Sequence, residues 1–87
     1  MRKRVVIHGH VQGVFFSDSL RRLASQRGVA GWARNRWDGT VEAVFEGPEE
    51  DVESLVAFAR QGPSGASVER AEVFEEEPGG LSGFSVG

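Results

Sequence analysis

The sequence predicts an α+β domain with the order strand, helix, strand, strand, helix, strand. Three observations carry that expectation. Two segments repeat apolar residues at helical spacing: Phe16, Leu20, Leu23 and Ala24 in one, Val52, Leu55, Val56 and Ala59 in the other. Short β-branched or alternating runs lie around and between them. Turn residues separate the segments, at Gly9, Asp38-Gly39, Gly47-Pro48, Gly62-Pro63 and Pro78-Gly79-Gly80. With 87 residues, no internal repeat and no linker-like stretch, the chain reads as a single domain over 1–87.

Each element has its own signal. Val5-Val6-Ile7 is a short β-branched strand bounded by Gly9. Ser17 to Gly28 is a helix, with Asp18 and Ser19 in its first turn, Arg27 in its last and Gly28 as its C-cap. Val29 to Trp37 is the second strand, and Asp38-Gly39 is a two-residue hairpin signal. Thr40 to Glu46 returns as the third strand, with Val41, Ala43 and Phe45 on one face and Thr40, Glu42 and Glu46 on the other. Pro48-Glu49-Glu50-Asp51 starts the second helix, placing acids at the positive end of the helix dipole. Ser67 to Glu76 is a fourth strand of irregular alternation, and Phe84 to Val86 can pair as a short last one. This order is the split βαβ, ferredoxin-like arrangement: a βαββαβ sandwich with two helices on one face of an antiparallel sheet.

Composition narrows the function classes. There is no cysteine, so neither a disulfide nor a thiolate metal site is available. No apolar run approaches the roughly 20 residues needed to span a bilayer, and MRKRVVIHGH is too short in apolar residues for a secretory leader. A cytoplasmic protein with no membrane partner is expected. The net charge is −3, yet eight of the ten basic residues fall in 1–36, where Asp18 is the sole acid. The first half can attract an anion, or its arginines can form a solvated face. An acidic chain without the aromatic strand signature of RNA-recognition modules is not expected to bind nucleic acid.

The richest segment is HGHVQGVFFSDS, residues 8–19. Gly9 and Gly13 bracket a turn between a strand and a helix. Such a turn points successive backbone N–H groups into one concavity at a helix N-terminus, which suits a phosphate. Asn35, in GWARNRWDG, is an amide in a strand that leads into a hairpin; it can hold a water molecule or simply bond its own turn. His8 and His10 are spaced for one strand face, but no third ligand is signalled and no metal site is expected. Trp32 and Trp37 are expected as core or hairpin cover. Ser17 lacks a base or a nucleophile-elbow context and reads as a helix-start cap.

The segment G-H-V-Q-G-V-F-F at 9–16 resembles the first signature of the acylphosphatase family. G-W-A-R-N-R-W-D-G-T-V at 31–41, followed by Gly47, resembles the second, and G-F-S-V at 83–86 resembles the family's last strand. The resemblance covers nearly the whole chain and implies the same βαββαβ fold. It implies hydrolysis of the carboxyl-phosphate bond of small acyl phosphates without metal or organic cofactor. Gln12, Gly13, Val14, Phe15 and Phe16 would be the phosphate cradle, and Asn35 would orient the attacking water. The family's phosphate-binding arginine falls on Ser17, so activity is expected to be strongly impaired. Arg21, at i+4 from Ser17, shares its helix face and leans back toward the cradle; it is either a substitute cation or a surface residue. The alternative is a non-catalytic module that binds phosphate or sulfate. A monomer is expected in either case.

Overall fold

A computed structural model describes all residues 1–87. The elements are β1 (Arg2–His10), α1 (Phe16–Arg27), β2 (Ala30–Asn35), β3 (Val41–Glu46), α2 (Glu49–Gln61), β4 (Ser67–Glu76) and β5 (Phe84–Val86). They form one five-stranded sheet in the order β4-β1-β3-β2-β5. The expected strand and helix order holds, and both apolar helix stripes pack on one sheet face. Phe16, Leu20 and Ala24 of α1 and Val52, Leu55, Val56 and Ala59 of α2 share a core with Val5, Ile7, Ala33, Val41, Ala43 and Phe45.

The sheet is mixed rather than antiparallel, because β5 pairs parallel to β2. The reason is the route of the chain. The last residues of β4 and β3 lie beside the start of β1, and Ala30 at the start of β2 pairs with Glu46. The chain therefore leaves β4 at the end where β2 begins, crosses below the sheet and runs up alongside β2. Glu46 anchors the crossing: its carboxylate accepts N–H bonds from Gly79 at 2.9 Å, Gly80 at 2.8 Å and Leu81 at 3.1 Å.

β1 is much longer than Val5-Val6-Ile7, because its charged ends are paired rather than solvated. Lys3, on the helix side, reaches Glu53 of α2 at 2.6 Å. Arg2 and Arg4, on the open side, bond Glu76 at 2.9 and 3.2 Å. Arg34 bonds Glu42 at 2.7 Å, and His8 Nε2 lies 2.6 Å from Glu72 Oε1. This layer covers Val6 and Val44, so β3 is buried on both faces, Glu42 included. Much of the basic excess of the first half is thus consumed on the open sheet face.

The irregular alternation of β4 also has a cause. His8 pairs with Arg70 but Gly9 with Val68, so Glu69 is an extra, bulged residue. The bulge shifts the phase, and Val68, Ala71 and Val73 all pack toward the core. On β1, His8 faces Glu72 and His10 is exposed. At Gly9 a Cβ would stand 2.2 Å from the Ser67 carbonyl oxygen and 2.9 Å from the Glu69 nitrogen. Backbone cannot yield to that overlap. Gly9→Ala is expected to lose at least about 2 kcal/mol of stability, within the range of severe backbone substitutions, as read by urea unfolding.

The three N–H donors, Gly79 first, hold the Glu46 carboxyl below the usual glutamate range, with Arg2 adding to the effect. A depressed carboxyl stabilises the fold above its unfolded pKa and loses that contribution as pH falls through the folded value. Glu46→Gln should therefore lower Tm at neutral pH, and the gap from the unmodified chain should close on acidification below about pH 4.5.

Candidate phosphate-binding site

The site lies at the end of the sheet opposite the β4–β5 crossing, where β1 turns into α1. Val11 and Phe16 are buried in the core and Val14 packs against it, so both ends of the turn are fixed. Between them the chain passes through Gly13 at φ 74° and Phe15 at φ 58°, ψ 30°. Phe15 is the sole non-glycine residue with positive φ, and its ring is 80% exposed. A bulky residue in that conformation costs about 1–3 kcal/mol. The alternation of right- and left-handed backbone makes a concave nest of N–H groups. None of the N–H groups from Gln12 to Asp18 donates to another group of the chain. The later ones belong to the first turn of α1, whose dipole also favours an anion.

A cleft of about 350 Å³ opens over this turn, lined by Val11, Gly13, Phe15, Phe16, Ser17, Asp18 and Asn35. Asn35 reaches it because it shares the helix-covered face of β2 with Ala33 and lies at the strand's end. Arg34 points to the opposite face, where its guanidinium lies 5.0 Å from the Trp32 ring. Trp32 is thus part of the open face, and Trp37 covers nothing: it is 96% exposed at the hairpin tip. The hairpin is not a two-residue turn. Arg36 N–H bonds the Thr40 carbonyl at 2.9 Å and Gly39 N–H the Arg36 carbonyl at 3.1 Å. Trp37-Asp38-Gly39 is therefore a three-residue loop, with Gly39 at φ 91°. The loop forms because Asp38 Oδ1 accepts both the Thr40 hydroxyl, at 2.6 Å, and the Thr40 N–H, at 3.0 Å. Those bonds, the hydroxyl foremost, hold the Asp38 carboxyl below its ordinary range.

The predicted cradle residues divide by role. Gly13, Phe15 and Phe16 line the cleft, while Val14 packs against the core. The Gln12 side chain turns away from it. Gln12 Nε2 donates to the Arg36 carbonyl at 2.7 Å and the Thr40 carbonyl at 2.9 Å. It ties the turn to the base of the hairpin that carries Asn35, a role the sequence did not signal. Ser17 is not the helix cap: α1 starts at Phe16, and no side chain caps it. Ser17 Oγ is buried with no hydrogen-bond partner. No lysine or arginine lines the cleft. Arg21 bonds Asp18 Oδ1 through Nη2, and Arg22 Nε holds Asp18 Oδ2 at 3.1 Å.

A βαββαβ sandwich with an unpaired amide turn between strand and helix, faced by a lone asparagine, defines a small α+β domain with a candidate anion site. Comparison with known proteins gives the family. The acylphosphatase family model matches residues 3–86. The chain is 55% identical over 86 residues to the acylphosphatase of Thermococcus kodakarensis, covering 99% of this chain and 94% of that one. It is 55% identical over 87 residues to the acylphosphatase of Rubrobacter xylanophilus, covering 98% and 78%. The crystal structure of acylphosphatase from Bacillus subtilis superposes with a TM-score of 0.92 at 35% identity, covering 98% and 96%. The chain belongs to the acylphosphatase family, a family of hydrolases.

Replacing Gln12 by Ala removes both bonds to the hairpin, while each carbonyl keeps its N–H partner within the hairpin, so the cost is that of two lost hydrogen bonds. A loss of about 1–3 kcal/mol is expected in thermal unfolding, with weaker phosphate binding because turn and hairpin are no longer held together.

Proposed function

We propose that this chain hydrolyses the carboxyl-phosphate bond of small acyl phosphates, at a rate limited by Ser17. The observation that carries the reading is the run of unpartnered N–H groups from Gln12 to Asp18, of which Gly13, Phe15, Phe16, Ser17 and Asp18 line one cleft with Asn35. The nest receives the phosphate oxygens. The Asn35 amide accepts a hydrogen bond from a water molecule and aims its oxygen at phosphorus, in line with the carboxyl oxygen. The new P–O bond forms as the bond to the carboxyl oxygen breaks, and the water proton passes to solvent. The leaving group is a carboxylate of low pKa, so it departs without a general acid. Positioning and charge stabilisation then supply the catalysis, and no step uses a metal or organic cofactor.

A Ser17 hydroxyl cannot match two phosphate oxygens as a guanidinium does. The rate of hydrolysis of benzoyl phosphate by the chain and by Ser17→Arg tests the reading. Restoring one preorganised donor is expected to raise kcat/KM by about 10²–10³, and Asn35→Ala should abolish the gain. One observation favours a second reading, a non-catalytic phosphate-binding module: the cleft is lined by no basic side chain. In that case phosphate raises Tm, while neither the chain nor Ser17→Arg turns over.

A further inference from the structure

We propose that Arg21 is the cation of this anion site, held in reserve by Asp18 and delivered to phosphate once it binds. The inference rests on the cleft being the phosphate site argued above. Asp18 is the one charged side chain that lines the cleft. A carboxylate beside a nest of N–H groups opposes anion binding unless it is neutralised. Two guanidinium groups neutralise it, Arg21 on Oδ1 and Arg22 on Oδ2.

The two arginines are not equivalent. At about 100° per residue, Arg21 lies about 40° around the helix from Ser17 and Arg22 about 140°. Helical side chains lean toward the N-terminus, so Arg21 stands above the Ser17 flank. Arg22 is on the far side of Asp18, in an adjoining depression lined also by Phe15, Asp18 and Ser19, which includes neither Ser17 nor Asn35. Because Asp18 uses a different oxygen for each partner, departure of Arg21 leaves the Arg22 pair intact. Arg21 is half exposed. An exposed ion pair of this kind is worth about fivefold at most in an equilibrium constant. A guanidinium on phosphate makes two charge-assisted bonds and is the stronger partner. Phosphate in the nest therefore takes Arg21 from Asp18, and Ser17, which leaves the flank small, gives the guanidinium room to approach.

Calorimetric titration of the full chain with inorganic phosphate at low ionic strength tests the proposal, with thermal unfolding of every variant as a check on folding. Arg21→Gln is expected to weaken binding about tenfold or more, and Arg22→Gln less than about threefold. Asp18→Asn frees Arg21 and tightens binding, and the gain disappears in Asp18→Asn/Arg21→Gln. An unchanged Kd in Arg21→Gln overturns the proposal and leaves the phosphate site standing. So does a gain that survives in the double variant, which assigns Asp18 a purely repulsive role. Binding that appears only after Ser17→Arg also overturns it alone. Absence of binding in both the chain and Ser17→Arg overturns the phosphate site and the Arg21 assignment together.

Discussion

The site depends on a backbone constraint at Phe15. A large side chain occupies the left-handed region, exposed, with no contact of its own to recommend it. The neighbours impose it. Phe16 is 2% exposed and meets Phe58 edge-on at 6.5 Å, while Val14 packs on the same core from the other side. Anchoring residues on both sides of Phe15 leaves the connecting residue no extended route. Burial of a Phe side chain is worth about 1.5–3 kcal/mol, comparable to the strain. The outcome is a turn whose N–H groups do not pair within the chain and which borders a cleft. Core packing thus fixes the turn and, with it, the unpaired amides of the candidate site.

The charges of the chain are divided between two tasks. On the open sheet face, Arg2, Arg4 and Arg34 are matched to Glu42, Glu46 and Glu76, and there the pairs shield Val6 and Val44 from water. Each pair alone is weak, but long arginine stems also cover apolar surface. At the cleft the arrangement is the reverse: amide dipoles and a neutral asparagine, with charge confined to Asp18 and its two arginines on α1. The basic bias of residues 1–36 is therefore mainly a property of the sheet face, and only a small part of it stands near the site.

The helices and the central strand were readable because burial writes a period into the sequence. Phe16-Leu20-Ala24 and Val52-Leu55-Val56-Ala59 are such patterns, and Val41-Ala43-Phe45 another. The full length of β1 was not, because Arg2 to Arg4 carry no apolar signal and are held by partners 38 to 74 residues away. The Glu69 bulge erased the period of β4 for the same reason: it is a property of pairing with Gly9, not of the local sequence. The parallel edge strand follows from the path of the whole chain. At the site, the glycines and Asn35 announced themselves by residue type. Gln12 did not reveal whether its amide faced a ligand or the backbone, since one side chain serves both uses.

Shape and charge at this cleft are separable. The nest is set by Gly13, by Phe15 and by the buried Val11 and Phe16, and Asn35 is placed by the end of β2; none of these depends on what stands at position 17. The Ser17 hydroxyl, buried without a partner, is a polar group that the fold tolerates at a typical penalty of about 1–3 kcal/mol rather than one it needs. On the reading proposed above, such a site binds through fixed dipoles, since these need no rearrangement when the ligand arrives. What it lacks is the extra stabilisation that grows as charge spreads over the transferring phosphoryl group. On the same reading, the amides of 12–18 and the Arg21 guanidinium both contribute to phosphate affinity, and a guanidinium on the phosphate also governs turnover.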